Sequence, residues 1–179
     1  PCPPIIFALL GITMTLNADT LSVDDDRSEN PDATFVRIQD AIDQAVDGDV
    51  IQIWPGTYVG DDGDTARDLP HPVALIQNKS ITLQGIEVDG KIVIIDGENE
   101  RRGIQCEAQN DELHMISIVG LNVTRGLATP FDDIPYEPGE TYYPDCGGAL
   151  LAYRVALNVE SCQFNASNAS WGGAAACYR

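Results

Sequence analysis

The residues best suited to chemistry lie between Thr124 and Gly147, where Phe131, Tyr136, Tyr142 and Tyr143 are interleaved with Asp132, Asp133, Glu137, Glu140 and Asp145. Aromatic faces beside carboxylates are what a sugar-binding surface uses, the rings for apolar stacking and the oxygens as acceptors for hydroxyl groups. The alternative is that the tyrosines only pin this loop to the wall of the domain. A second acidic stretch, GDDGDTARD at 60–68, places Asp61, Asp62, Asp64 and Asp68 close together. Calcium takes six to eight oxygen ligands, so these acids permit a calcium ion without specifying one. The stretch also lacks the terminal Glu of an EF-hand loop.

Other candidates carry less. His71 and His114 have no sequence neighbour that would make either a ligand or a base, and both read as structural or exposed. Cys2, Cys106, Cys146, Cys162 and Cys177 show no C-x-x-C pair and no metal-ligand spacing with the histidines, so no zinc site is expected. Disulfide pairing cannot be read from them. N-x-S/T sequons occur at Asn78, Asn122, Asn165 and Asn168 and are glycosylation candidates where the source glycosylates proteins.

Composition narrows the partner. The chain has 179 residues with 28 acidic and 10 basic side chains, a formal net charge of −18. Nothing in that balance could neutralise a row of phosphates, which excludes a nucleic-acid backbone binder. Anionic polymers are repelled unless a cation bridges, so neutral sugars are favoured. Hydrophobic residues make up 44% and charged ones 21%, the composition of a chain that folds.

Positioning elements follow from hydrophobic period. The apolar run Ile5 to Leu16 is too short for a bilayer span, which needs about 20 residues. It suits the core of a secretory signal peptide over residues 1–18, with an extracellular or cell-surface location as the consequence. Residues 19–33 read as an acidic linker. Ile38, Ala41, Ile42 and Ala45 form one stripe of a helix at about residues 36–46, which Asp47-Gly48-Asp49 ends. VIQIW at 50–54 then alternates as a strand, and Pro55-Gly56 turns the chain.

Beyond this point a different repeat takes over. Apolar residues at offsets 0, 2, 5 and 7 occur as Ile81, Leu83, Ile86, Val88, then as Ile116, Ile118, Leu121, Val123, then as Leu157, Val159, Cys162, Phe164. A plain strand keeps its inward set at even offsets, so the step from 2 to 5 marks a corner turned with the apolar side kept inward. Gly103-Ile104, Gly148-Ala149 and Gly173-Ala174 form a companion series. Short strands repeating at this period define a stacked solenoid rather than a sandwich. All ten of Ile81, Leu83, Ile86, Ile116, Ile118, Leu121, Leu157, Val159, Cys162 and Phe164 are expected to point inward.

TFVRIQDAIDQAVDGDVIQIWPGTY (34–58), NKSITLQGI (78–86) and IVIIDG (92–97) resemble the opening of the right-handed parallel β-helix, or pectin-lyase-like, superfamily. CGGALLAYRVALNVESCQFNASNASWGGAAACY (146–178) is similar to the G-G-A and F-x-x-N repeats of secreted and surface β-helices, with Asn168 one residue late after Phe164. The resemblance implies an all-β, right-handed parallel β-helix solenoid, with the short helix capping its N-terminal end and Pro55-Gly56-Thr57-Tyr58 ending the first coil; its expected span is 34–179, truncated at the C-terminus, since the sequence reads as a fragment. It implies no single activity, because this fold hosts lyases, hydrolases, esterases and adhesins. The methylesterase pattern lacks its Glu after Tyr58, and the polygalacturonase pattern is reduced to Asp132-Asp133. A pectate-lyase-like chemistry would draw on calcium and on a basic residue, for which Arg125 is the one placed at a strand end beside an acidic loop. Arg is fully protonated at neutral pH, and a salt bridge is its commoner role. The expected function is a secreted or surface protein that binds a polysaccharide or surface glycan, with no catalytic set in these residues. The alternative is the N-terminal part of a polysaccharide lyase acting on uronate-containing polymers.

Overall fold

The computed structural model describes residues 18–60, 71–128, 146–170 and 172–178. Strand β1 (Thr20–Val23) is followed by helix α1 (Ile38–Gln44) and then by β2 (Val50–Ile53), β3 (Gly56–Tyr58), β4 (Ala74–Gln77), β5 (Thr82–Gly85), β6 (Val93–Asp96), β7 (Ile104–Glu107), β8 (Met115–Val119), β9 (Leu121–Thr124), β10 (Leu150–Tyr153), β11 (Ala156–Glu160), β12 (Gln163–Asn165) and β13 (Ala175–Tyr178). From β2 onward the chain visits three sheets in rotation. Sheet A runs β1-β2-β5-β8-β11, sheet B runs β3-β6-β9-β12, and sheet C runs β4-β7-β10-β13. Every pairing within these sheets is parallel. The protein is mostly β, with one short helix, and its three parallel sheets are compatible with a parallel β-helix.

Side-chain columns fill the interior. Ile51, Leu83, Ile118 and Val159 align in sheet A, while Ile95, Val123 and Phe164 align in sheet B. In sheet C, Ile76, Cys106, Ala152 and Cys177 align. Residues of the middle coils are almost completely buried, with Leu83, Ile118, Leu121 and Val123 all at 0% exposure. Each side chain in such a column is covered from above and below by its neighbours. That is why no coil is stable by itself.

The corner between sheets A and B is where the 2-to-5 step arises. Gly120 (φ +68°) and Ser161 (φ +54°) stand between the paired strands in successive coils, each in the left-handed conformation that reverses the side-chain phase. Gly85 sits one coil earlier, and a Cβ there would lie 2.3 Å from the Gly120 carbonyl oxygen, so the close approach of the two backbones needs glycine.

Of the ten residues expected inward, Ile81, Leu83, Ile116, Ile118 and Leu121 are buried, and Leu157, Cys162 and Phe164 are half-buried against the core. Two corrections are needed. Ile86 and Val88 do not occupy the sheet B positions, because Val93 and Ile95 pair there with Leu121 and Val123. Residues 86–92 instead make an excursion closed by the antiparallel bridge Val88–Lys91, with Asp89 and Gly90 both at positive φ, the geometry of a type I′ turn. Val159 is 40% exposed because it lies on β11, the last described strand of sheet A, with no described strand paired beyond it. The glycine series is also offset, since Leu150 pairs with Ile104 and Ala149 therefore sits opposite Gly103.

Helix α1 buries Ile38, Ala41 and Ile42 against the sheets, as its stripe requires, and packs on β1, β2 and β4. Lys79 Nζ donates to the carbonyls of Ile42 (2.6 Å) and Asp43 (3.0 Å), a cation placed at the negative end of the helix. The expected linker at 19–33 contains β1 and the buried Val23, which joins sheet A beside β2. Its acids have work to do in the fold: Asp24 is fully buried and accepts the N–H groups of Arg27 (3.0 Å) and Asn30 (2.6 Å). Pro55-Gly56-Thr57-Tyr58 does not close the first coil but forms its sheet B side. The Tyr58 ring is buried and its hydroxyl donates to the Trp54 carbonyl (2.8 Å). Residues 1–17, and with them the apolar run Ile5 to Leu16, lie outside the described residues.

Candidate functional site

Strand alternation in sheet C sends Ala74, Ile76, Ile104, Cys106, Leu150 and Ala152 into the core and turns Gln77, Gln105, Glu107 and Tyr153 outward. The register sets Gln77, Glu107, Tyr153 and Tyr178 side by side on four adjacent strands, spaced by about 4.8 Å. The polar groups of Gln77, Glu107 and Tyr178 are already fixed. Glu107 Oε1 accepts from Gln77 Nε2 (2.5 Å) and Gln109 Nε2 (2.8 Å), and Oε2 accepts from Gln105 Nε2 (2.7 Å). Gln105 Oε1 in turn accepts from Arg102 Nη1 (2.6 Å). Arg102 is 5% exposed and also donates to the backbone, Nε to the Gly147 carbonyl (2.9 Å) and Nη2 to the Cys146 carbonyl (3.0 Å). The Tyr178 hydroxyl donates to Cys146 Sγ (2.8 Å). A carboxylate, three amides and two phenols thus form one ordered face able to exchange hydrogen bonds with hydroxyl groups while offering ring surface.

Both acidic stretches singled out in the sequence arise at the same corner of the stack, where sheet B hands over to sheet C: one between β3 and β4, the other between β9 and β10. Two buried arginines stand at their bases. Arg101 lies against Gly60, where a Cβ would come within 2.3 Å of its Cδ, and Arg102 holds Cys146 and Gly147. Phe131, Asp132, Asp133, Tyr136, Tyr142 and Tyr143, and Asp61, Asp62, Asp64 and Asp68, lie outside the described residues.

Arg125, the basic residue considered for lyase chemistry, is bound to Asp96 on the neighbouring strand. Its Nε donates to Oδ1 (2.8 Å) and its Nη2 to Oδ2, a bidentate pair. Burial works against ionisation of Asp96. The Arg125 hydrogen bonds and charge, together with the Glu98 N–H, outweigh it and hold the carboxyl below its ordinary value. A carboxyl depressed on folding contributes stability that is present above its unfolded pKa, roughly 3.9. That contribution is lost as pH falls through the lower folded value. Asp96→Asn is therefore expected to lower the denaturation midpoint at neutral pH and to narrow the gap to wild type below about pH 4. A gap that does not depend on pH would show that the ion pair does not stabilise the fold.

A third group lies in the turn after β1, where the ligand oxygens of Asp24, Asp26 and Glu29 all fall within 4.8 Å of one another. An all-oxygen set of this kind could hold a hard cation. Ser28 donates to Asp26 and Glu29, and Lys91 pairs with Glu29; these contacts lower the pKa of the exposed Asp26 and of the half-buried Glu29. Next to them an open groove of ≈ 260 Å³ is lined by Asp25, Thr57, Lys91 and Ile94 among others. Burial raises the pKa of Asp25, against the Thr57 N–H that donates to it.

The sequons fall on structured backbone. Asn78 (φ +52°) accepts the Gln109 N–H through its side chain (2.7 Å), Asn122 sits in β9, and Asn165 and Asn168 are exposed at the last coil. His114 is buried against Asn110 (3.0 Å). Cys106, Cys146, Cys162 and Cys177 are free thiols. Cys106 is buried, with its pKa pushed up by that burial, and Cys177 is exposed. Sequence reasoning missed Asp24, Asp96, Arg102, Gln105 and Glu107. The one available signal was alternation in Ile104-Gln105-Cys106-Glu107, which already separates an inward pair from an outward polar pair.

Fold and site together define a class: a mostly-β chain of three parallel sheets carrying a polar, tyrosine-bearing outer face. No protein-family model, no curated protein and no solved structure matches the chain. Among the described residues, no helix is long and apolar enough to cross a membrane.

Proposed function

We propose that this chain is a secreted or cell-surface right-handed parallel β-helix of the pectin-lyase-like kind, capped by α1, that binds a polysaccharide or surface glycan along the outer face of sheet C. The supporting observation is the row Gln77, Glu107, Tyr153 and Tyr178 with its pre-formed amide–carboxylate network. A linear polymer matches a linear wall, since one outward polar or aromatic side chain stands at each layer of the row. Pre-organised hydrogen-bonding groups lose little entropy on binding. Handedness follows the general rule for crossovers between parallel strands. With −18 of net charge the favoured ligands are neutral sugars. Calcium is the cation that the oxygen donors of Asp24, Asp26 and Glu29 suit best.

Calorimetric titration with neutral oligosaccharides tests the reading. Tyr153→Ala is expected to weaken binding by about 1 kcal/mol, roughly five-fold in Kd, with the melting temperature little changed. Absence of binding by the unmutated chain would overturn the proposal. Release of an unsaturated uronate product, with or without calcium, would put polysaccharide-lyase chemistry in its place.

A further inference from the structure

Among the described residues, the three most exposed large apolar side chains share one corner of the stack. Leu113 is 70% exposed, Met115 68% and Val46 53%. Val46 follows α1 on the way to β2, while Leu113 and Met115 stand where β7 leads into β8, so all three lie at the entry to sheet A. Ser80, at the same entry one coil between them, ties the two levels together. Its N–H donates to Asp47 Oδ1 (2.8 Å), its carbonyl accepts the Gly48 N–H (2.7 Å), and its Oγ accepts the Met115 N–H (3.2 Å). Scattered apolar side chains are ordinary at a surface, whereas a patch of them marks a contact.

The described chain also starts at this corner. Asp49 is buried, and its carboxylate holds both sides: Oδ1 accepts the Asp19 N–H (2.8 Å) and Oδ2 the Val46 N–H (2.9 Å). Ala18 stands beside Gly48, where an added Cβ would lie 3.8 Å from the Ala18 Cβ. The chain preceding Ala18 therefore leaves the fold next to Val46. Residues 1–17 hold the apolar run Ile5 to Leu16 and no charged side chain. Two strand spacings separate the levels of Val46 and Met115, about 10 Å. Twelve residues span about 18 Å as a helix and more when extended, so the run reaches the whole patch.

Other occupants fit less well. Exposed Asp47, Asp111 and Glu112 flank the patch residues, and a second copy with −18 of net charge is repelled there. Residues 61–70 and 129–145 are acidic, and their attachments lie at the corner between sheets B and C. An uncharged run meets no such repulsion, and its attachment at Ala18 gives it a high local concentration.

We propose that the run Ile5 to Leu16 docks on the Val46–Leu113–Met115 corner as an intramolecular cover. This lies apart from the glycan reading, which concerns the outer face of sheet C. The cover lasts as long as the run stays attached, and a signal-peptide cut near residue 18 leaves the patch bare.

The chain has two methionines, Met14 in the run and Met115 in the patch. Peroxide oxidation followed by peptide mass mapping therefore reads both sides of the contact on the full chain. Each sulfoxide is expected to form on the order of five-fold more slowly than that of free methionine in the same tube. Leu113→Asp changes a side chain that is already 70% exposed, so the fold persists by circular dichroism while the rate at Met14 rises to that of free methionine. Leu9→Asp combined with Leu10→Asp alters only the run and is expected to raise the rate at Met115. A wild-type Met115 oxidised as fast as free methionine, or a Met14 rate indifferent to Leu113→Asp, would overturn the proposal. Rates that vary with protein concentration would do the same, by putting a second copy on the patch.

Discussion

Ile118→Asp is expected to leave the chain largely unfolded. Ile118 is 0% exposed and lies between Leu83 and Val159 in the sheet A column, so a carboxylate there has apolar neighbours above and below and no donor in reach. Loss of the buried side chain and burial of an unpaired charge together cost about 5 kcal/mol or more. A domain of this size has roughly 5–15 kcal/mol of stability in all. Ile118→Val keeps the shape of the column and should cost only about 1 kcal/mol. Urea unfolding followed by far-ultraviolet circular dichroism separates the two. A soluble, cooperatively folding Ile118→Asp protein with a midpoint near wild type would contradict the stacked core.

Arg102→Ala is the second large effect. The guanidinium serves the carbonyls of Cys146 and Gly147 and the side chain of Gln105. Truncation strands two buried acceptors and loosens the amide that orders Glu107. Each orphaned buried group costs about 1–3 kcal/mol, so a loss of roughly 3 kcal/mol is expected in chemical denaturation. Arg102→Lys keeps the charge but not the planar fork, and should recover only part of that loss. If both variants unfold like wild type, Arg102 does not hold the return of the long loop. Glycan titration of Arg102→Lys then reads whether order at Glu107 matters for binding.

What the sequence disclosed and what it concealed divide along physical lines. The helix stripe Ile38, Ala41, Ile42 and the phase step at Gly120 were legible, because both are periodicities that burial imposes on neighbouring residues. The substitution of Ile86 and Val88 for Val93 and Ile95 shows the limit. The spacing matched by coincidence, while the Asp89-Gly90 pair that starts a type I′ turn was the cue for an excursion. β1 was hidden by its surroundings: Thr20–Val23 is short and runs directly into Asp24-Asp25-Asp26, and only the pairing with β2 makes it a strand. The amide–carboxylate face was hidden for a stronger reason. Gln77, Gln105, Glu107 and Arg102 meet through stacking register, so Gln77 and Glu107 are 30 residues apart in the chain yet share a hydrogen bond. Arg125 was read from its place at a strand end. Its partner Asp96 lies 29 residues earlier, one full coil back, and no local pattern could name it.

The stacking of sheet C gives its thiols an order in time as well as in depth. Each layer leans only on its neighbours, so local opening proceeds one layer after another. The thiols of sheet C record that progress. Cys177 is available from the outset, whereas Cys106, two layers deeper in the same column, is sealed until β13 and β10 have peeled away. The order in which the two thiols are labelled is thus a clock of unwinding written into the column.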